Sequence, residues 1–379
     1  MPTRVLLMIS SMRGGGSERQ TLLLLKHLDR TRFEPHLYLT DRAGDLLCHV
    51  PTDVPIHSFE DFKDPGGLYF PGRIHRQQAA HLRSILVDNQ IETVYDRTFH
   101  MSFIAGPACQ KVNVPRVSTI VSPPELALPM VEHRFVGMKR ALLAKAYRAS
   151  RSIVAVSKIA AMSAETYYKL PPGVIRVIPN PVDIESLRNS CEVKAPKAED
   201  HVALVCVGRM TAEKGHADLI RAVALTQSTW PDSAPPLRLT MIGDGPLREN
   251  LETLARETVH QHAIDFVGID SNPAQAIAAA DGLVLPSIFE GMPNVVLEAM
   301  AIGTPVIATR AGGTVELQYN EPTILWAQPN DPKSLAEAIL EFATHRGEAD
   351  DRAIAASRYV TEFHSIDRAL KHIESLLLG

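Results

Sequence analysis

With 379 residues, 45% of them apolar, the chain exceeds what one hydrophobic core usually accommodates, so two domains of roughly 150–200 residues are expected. No apolar run approaches the ~18 residues of a membrane span, Val5–Ile9 is too short for a signal-peptide core, and Cys48, Cys109, Cys191 and Cys206 lack zinc-ligand or disulfide-framework spacing, so a cytoplasmic protein without a bound metal is expected. The net charge of −4 divides unevenly, with 23 Lys and Arg against 15 Asp and Glu in residues 1–180 and 16 against 28 in residues 181–379, so the first half suits an anionic partner or membrane surface.

From the N-terminus, "RVLLMIS" reads as a buried strand and "ERQTLLLLKHLDRT" as a helix, with "SSMRGGGSERQ" joining them. Gly14, Gly15 and Gly16 are consecutive rather than spaced as GxGxxG, which argues against a dinucleotide fingerprint. Ser17 is expected to cap the helix and Glu18 to sit in its first turn. Glycines without side chains let the backbone approach a phosphate or sugar. The strands "PHLYLT", "TVYDRT", "PRVSTIV" and "SIVAVS" then alternate with helical segments such as "HRQQAAHLRSILVDN", the pattern of a parallel sheet. Asp96, Arg97 and His100 fall at and after "TVYDRT". The proline-rich "SPPELALP" leads to "HRFVGMKRALLAKAYRASR", where Arg134, Lys139, Arg140, Lys145, Arg148 and Arg151 stand among apolar residues. That segment reads either as an ordinary amphipathic helix or as one lying on an anionic membrane.

"VIPNPVD" is a turn fixed by Pro179 and Pro181, and the aperiodic "RNSCEVKAPKAEDH" puts a domain boundary near residues 180–200. Strands resume with "VALVCVG", "LRLTMIG", "IDFVG", "GLVLP" and "TPVIAT". The domains are accordingly expected at 1–178 and 179–355, with 356–379 a helix packing back across them.

Doubly wound sheets bind ligands at the carboxyl ends of their strands, and the informative loops fall there. "VGRMTAEKG" carries Arg209 and Lys214, with Gly208 and Gly215 allowing a sharp path. Such a pair clamps a diphosphate and stabilises the charge that develops on it as it leaves. "MIGDGPLRENLETLA" has Gly243 and Gly245 but no third glycine, and reads as a tight turn bordering a nucleotide, with Pro246 near the first turn of a helix. The backbone at Val267 in "FVGI" is expected to meet a nucleobase. In "IFEGMPNVVLEAMAIGTPVIA", a helix starting near Pro293 or Asn294 leaves Glu290 in the loop before it and Glu298 one turn inside. Its leading amides suit a phosphate, and the two carboxylates suit paired hydroxyls.

Taken in order, "VGRMTAEKG", "GDGPLRENLE", "FVG" and "PSIFEGMPNVVLEAMAIGTPVIATRAGG" resemble the C-terminal domain of the retaining GT-B glycosyltransferases of family 4. "GGGSER" and "VIPNPVD" match as well, so the resemblance spans most of the chain and is most specific in its second half. The form of the first loop is similar to that of transferases extending lipid-linked bacterial surface glycans. The resemblance implies an α/β fold of two Rossmann-like doubly wound lobes facing a cleft, the first binding the acceptor and the second the nucleotide-sugar. It implies transfer from a donor, UDP-linked as is commonest among similar proteins, to a glycan or lipid-linked glycan at the inner face of the plasma membrane. No cofactor, metal or nucleic-acid partner is implied.

By position, the resemblance has Arg209 and Lys214 holding the diphosphate, Glu298 the ribose, and Glu290 the transferred sugar. Gly15, Gly16, Gly208, Gly243, Val267 and the run Gly291, Met292, Pro293, Asn294 and Val295 complete the donor contacts. Many members carry a His after an N-lobe strand, whereas "PRVSTIVSPPELA" has none; His100 is the nearby substitute, and Asp96, Arg97 and His100 are the candidate acceptor contacts. A GT-B nucleotide-sugar epimerase is the alternative enzyme. An inactive nucleotide-sugar-binding subunit is disfavoured by the presence of Arg209, Lys214, Glu290 and Glu298 together.

Overall fold

The computed structural model describes residues 1–62, 72–191, 200–270, 272–318 and 320–379, so residues 192–199 of the polar boundary stretch lie outside the described residues. The chain divides into two compact units, Met1–Pro181 with Ile366–Gly379, and Val182–Ser365.

The first unit is a parallel sheet of β1 (Thr3–Ile9), β2 (Phe33–Leu39), β3 (Ile56–Ser58), β4 (Thr93–Arg97), β5 (Arg116–Ile120), β6 (Ser152–Ala155) and β7 (Ile175–Val177), ordered β3-β2-β1-β4-β5-β6-β7. Helices cover both faces, which is why β1 is a continuous apolar run, Val5 to Ile9, instead of an alternating one. Leu24 and Leu25 of helix Gly16–His27 pack in one core with Leu370, Ile373 and Leu377 of helix Ile366–Leu378, while Leu82, Met101 and Ile104 build another with Leu6 and Met8. Each of those buried leucines contributes about 1.5–3 kcal/mol of transfer free energy.

The second unit holds β8 (Val202–Val207), β9 (Leu237–Ile242), β10 (Ala263–Gly268), β11 (Gly282–Leu285), β12 (Val306–Thr309) and β13 (Leu325–Ala327), again parallel, ordered β10-β9-β8-β11-β12-β13. Its core joins Leu204 and Cys206 to Leu219, Leu239, Val284 and Phe342. In both sheets the order reverses beside the unit's first strand, between β1 and β4 and between β8 and β11. The loops leaving those strands flank a topological switch point, where open α/β sheets bind ligands.

Two local expectations are corrected. Ser17 does not cap the first helix: the helix begins at Gly16, so Ser17 lies inside its first turn, and the cap position falls to Gly15, which has no side chain to supply a cap. The C-terminal tail is two helices, not one from 356: Arg346–Phe363 buries Ala349, Ala353, Ala356 and Val360 in the second unit, and only Ile366–Leu378 belongs to the first. The chain enters and leaves the second unit side by side, with the Val182 N–H bonded to the His364 carbonyl at 2.8 Å.

Candidate functional site

At the switch point of the second unit, the loop after β8 runs from Gly208 to Gly215 and that after β11 from Pro286 to Pro293. They interlock. The Ile288 N–H donates to the Glu213 carbonyl at 2.8 Å, and Gly215, at φ +66°, lies so close to Pro286 that a Cβ would overlap its carbonyl oxygen. This contact carries Lys214 to Glu290: Lys214 Nζ donates to Glu290 Oε1 at 2.6 Å, and Ser287 Oγ donates to the same oxygen at 2.8 Å. The Glu290 backbone is fixed as well, its carbonyl accepting from the Gly313 N–H at 3.0 Å. Glu290 Oε2 has no partner among the described residues.

The Glu290 side chain is 11% exposed and that of Lys214 27%. Desolvation pulls the Lys214 ammonium down, but Glu290, with help from Glu213, outweighs it and holds the pKa above the ordinary lysine value. Lys214 is therefore a fixed cation. Arg209, on the same loop, is exposed, and its guanidinium is unpaired among the described residues.

The glycines of "GDG" serve loop packing. Gly243 adopts φ +135°, where a Cβ would overlap the Gly208 carbonyl, while its N–H donates to the Gly268 carbonyl at 2.7 Å. The ends of β8, β9 and β10 are thereby drawn together. Pro246 precedes the helix Arg248–Thr258 instead of entering its first turn. Val267 is exposed beside an irregularity in the β9–β10 pairing. Helix Asn294–Ile302 begins after Pro293 without a side-chain cap; Gly291, Met292 and Pro293 are buried before it, Asn294 and Val295 open it, and Glu298 lies one turn in, half-buried.

His216 escapes the sequence reading. It opens helix His216–Thr226 directly after Gly215, is 3% exposed, and its ring lies under Gly208. Burial, reinforced by the Lys214 charge, pushes its pKa down to about 4, so it is neutral at pH 7. Its Nδ1 is buried without a hydrogen-bond partner among the described residues. The only signal in the sequence is its place two residues after Lys214.

In the first unit the expected acceptor residues separate. Asp96 is wholly buried on β4, where its carboxylate accepts from Ser102 Oγ, from Ser118 Oγ at 2.7 Å and from Arg116 Nη1 at 3.1 Å. Both oxygens are occupied, so Asp96 braces the sheet and cannot contact an acceptor. Arg97 is also corrected: it is 4% exposed, and Nη2 donates to Asn180 Oδ1 at 2.7 Å while Nε is buried without a partner among the described residues. Burial lowers its pKa against the opposing pull of Tyr95 and Glu18. His100 instead lies at the surface, stacked on Phe99 and 3.5 Å from Glu132; burial draws its pKa down against that carboxylate. Between Arg97 and His100, Thr98 adopts φ 79°, ψ 153°, a conformation a β-branched residue holds only under strain. Of the glycine triplet, Gly14, at φ +96°, has open space where a Cβ would stand, Gly15 is covered by Glu18, and Gly16 begins the helix. Among the described residues no group of three or more His, Cys, Asp or Glu is placed to hold a metal ion.

Residues 14–186 match the model of Glycosyltransferase Family 4, and residues 201–345 that of Glycosyl transferases group 1. An uncharacterized glycosyltransferase of Methanocaldococcus jannaschii is 30% identical over 175 residues, 46% of this chain and 44% of that protein. The chain spans less than half the length of the first curated relatives it matches. The N-acetylgalactosamine-N,N'-diacetylbacillosaminyl-diphospho-undecaprenol 4-alpha-N-acetylgalactosaminyltransferase of Campylobacter jejuni is 24% identical over 340 residues, 87% of each chain. The fold is similar to that of Anabaena Alr3699/HepE, solved in complex with UDP and glucose, with a TM-score of 0.77 at 19% identity over 99% of both chains. Two family matches in succession, each laid over a unit with its own doubly wound sheet, show that the chain belongs to the group 1, family 4 glycosyltransferases of the GT-B fold.

Proposed function

We propose that the protein is a retaining glycosyltransferase that moves a sugar from a UDP-linked donor to a lipid-linked glycan without a metal ion. The observation that carries this reading is the Lys214–Glu290 pair at the β8/β11 switch point, where Glu290 keeps one oxygen without a partner among the described residues. Lys214 and the exposed Arg209 are the cations for a diphosphate; Oε2 of Glu290 accepts from a hydroxyl of the transferred sugar, and Glu298 from the ribose. In a front-face substitution the acceptor oxygen bonds to the anomeric carbon on the face the diphosphate leaves. The electron pair of the broken C–O bond goes to the diphosphate, one of whose oxygens takes the acceptor's proton. The two cations stabilise that charge as it forms.

The UDP and glucose bound by Alr3699/HepE and the diphospho-undecaprenol substrate in the name of the Campylobacter protein support the choice of donor and acceptor class. Contact with the inner face of an anionic membrane is supported by the exposed Met130, Phe135, Met138 and Leu142, which lie along the same stretch as the exposed Arg134 and Lys145. No helix among the described residues is long and apolar enough to cross a membrane, so that contact is peripheral in this reading. His100 remains the first unit's candidate for the donor-facing histidine.

Lys214→Ala and Glu290→Ala should each abolish transfer while the protein stays folded, as judged by circular dichroism. Full activity in both variants would sink the assignment. EDTA should not inhibit, and strict dependence on added Mg²⁺ or Mn²⁺ would refute the mechanism. A thermal-shift screen of UDP, GDP and ADP sugars identifies the donor, since a ligand at 100 times its Kd stabilises by about 2.7 kcal/mol. Release of UDP with an epimerised sugar and no transfer product would assign the protein to the epimerases instead.

A further inference from the structure

An open cavity of about 650 Å³ in the first unit lies where the chain enters β6 and β7, at the other end of this parallel sheet's strands from the glycine triplet and Thr98. Arg151 and Ser152 lead into β6 there, Val174 and Arg176 into β7, and helices Val136–Arg148 and Lys158–Tyr168 end beside it. Its lining includes Arg148, Arg151, Lys169 and Arg176 and no carboxylate.

Elsewhere in this unit arginines meet carboxylates: Arg4 with Glu34, Arg30 with Asp53, Arg32 with Glu374, Arg116 with Asp96. None of the four cavity cations does so among the described residues. Arg148 Nη2 donates to the carbonyls of Tyr168 at 3.0 Å and Lys169 at 2.8 Å, and Arg151 Nη2 donates to that of Leu376. These bonds anchor two guanidinium planes and leave their remaining N–H groups uncommitted. The side chains of Lys169 and Arg176 make no hydrogen bond among the described residues. A preference of cations for helix C-termini accounts for Arg148 and Lys169, but not for Arg176 on a strand or Arg151 before one. Four like charges around one concavity call for an anion, and anchored guanidinium groups suit the paired oxygens of a phosphate.

We propose that this cavity binds a phosphate-bearing anion, a phosphomonoester or diphosphate group, whose attached apolar or sugar part rests on Ile153, Leu170 and Val174. It is separate from the donor site of the second unit and does not depend on that assignment. The same chemistry is offered by a free phosphorylated compound and by the headgroup of an anionic lipid.

The test uses the full chain carrying Arg209→Ala and Lys214→Ala, which removes the other phosphate-directed cations. Calorimetric titration with inorganic pyrophosphate should show saturable binding that Lys169→Glu with Arg176→Glu weakens at least tenfold. Lys111→Glu, which changes an exposed cation outside the cavity, should leave it within twofold. The milder pair Lys169→Gln with Arg176→Gln, compared at matched thermal midpoint, should give an intermediate loss and excludes misfolding as the cause. Flotation with phosphatidylglycerol vesicles, competed by pyrophosphate and lost in the Glu variant, identifies a lipid headgroup; pyrophosphate binding with vesicle flotation unchanged in that variant identifies a free compound. Binding of neither probe, or pyrophosphate binding indifferent to both double substitutions, overturns the proposal.

Discussion

Replacing Asp96 distinguishes a brace from a ligand contact. Asp96→Ala removes the one anion that Arg116 meets among the described residues, and both side chains are almost completely buried, at 0% and 2% exposure. The substitution strands a buried guanidinium, which keeps only the Ala146 carbonyl, and takes the carboxylate from the Ser102 and Ser118 hydroxyls, leaving them the Thr98 carbonyl at 3.3 Å and Ser150 Oγ at 2.9 Å. Breaking a buried ion pair from one side costs about 3–5 kcal/mol. In a unit of roughly 150–250 residues each kcal/mol moves the midpoint by about 2–4 °C, so the first unit should melt roughly 6–20 °C lower. Asp96→Leu combined with Arg116→Met removes both charges and should recover most of the loss. Differential scanning calorimetry reads the transition, and an unshifted transition of the second unit serves as the internal control. A variant Asp96→Ala that melts like the parent but shows a raised KM for acceptor would refute the bracing role and restore Asp96 to the acceptor site.

Thr98→Gly relieves a strain of about 1–3 kcal/mol against roughly 1 kcal/mol of added chain entropy, and Thr98 Oγ1 has no buried partner to lose; denaturant unfolding should show a gain near 1 kcal/mol, and a loss of that size would refute the strain. Gly215→Ala drives a Cβ into the Pro286 carbonyl and must part the two loops, so unfolding should be easier by about 1–3 kcal/mol and transfer should fall at least ~100-fold; a parent-like variant would show that the loops are not locked. His216 has a folded-state pKa near 4, below the unfolded value of about 6.5, so the unfolded chain binds the extra proton. Its contribution is complete above pH 6.5 and is lost as pH falls towards 4, by roughly 3 kcal/mol; His216→Leu should flatten that part of a pH series of denaturation midpoints, and an unchanged slope would contradict the buried neutral ring.

The longer strands are legible because burial on both faces writes continuous apolar runs, as in β1 and β8. β3, β7 and β13 are not, since three residues carry no readable period and each exists by pairing with a longer neighbour. The loops of the second unit were legible because strand, glycine and helix start follow one another locally. The fate of Asp96 was not, because its partners arrive only through the β4–β5 register, which sets Asp96 beside Ser118 and Val94 beside Arg116. Ser17 misleads for another reason: a capping preference does not say at which of several adjacent residues the helix begins, and it begins at Gly16, one residue before Ser17.

Comparison of the two switch points shows why the second, and not the first, keeps a carboxylate oxygen open to a ligand. Both place a carboxylate near the end of a strand beside the reversal, Asp96 on β4 and Glu290 after β11. Three donors cover both oxygens of Asp96, so adding a ligand there means breaking a satisfied network, a loss that no single ligand hydroxyl repays. At Glu290 two donors converge on Oε1, which fixes the carboxylate plane and holds Lys214 beside it, while Oε2 keeps its acceptor capacity among the described residues. A nearly buried carboxylate oxygen without a protein donor is costly unless water or a ligand hydroxyl supplies the hydrogen bond. A ligand hydroxyl that displaces such a water would meet an acceptor already oriented for it, which is what the proposed contact with the transferred sugar requires. The same topology thus yields a brace in one unit and an open acceptor in the other, and the difference lies in how many donors each carboxylate already has.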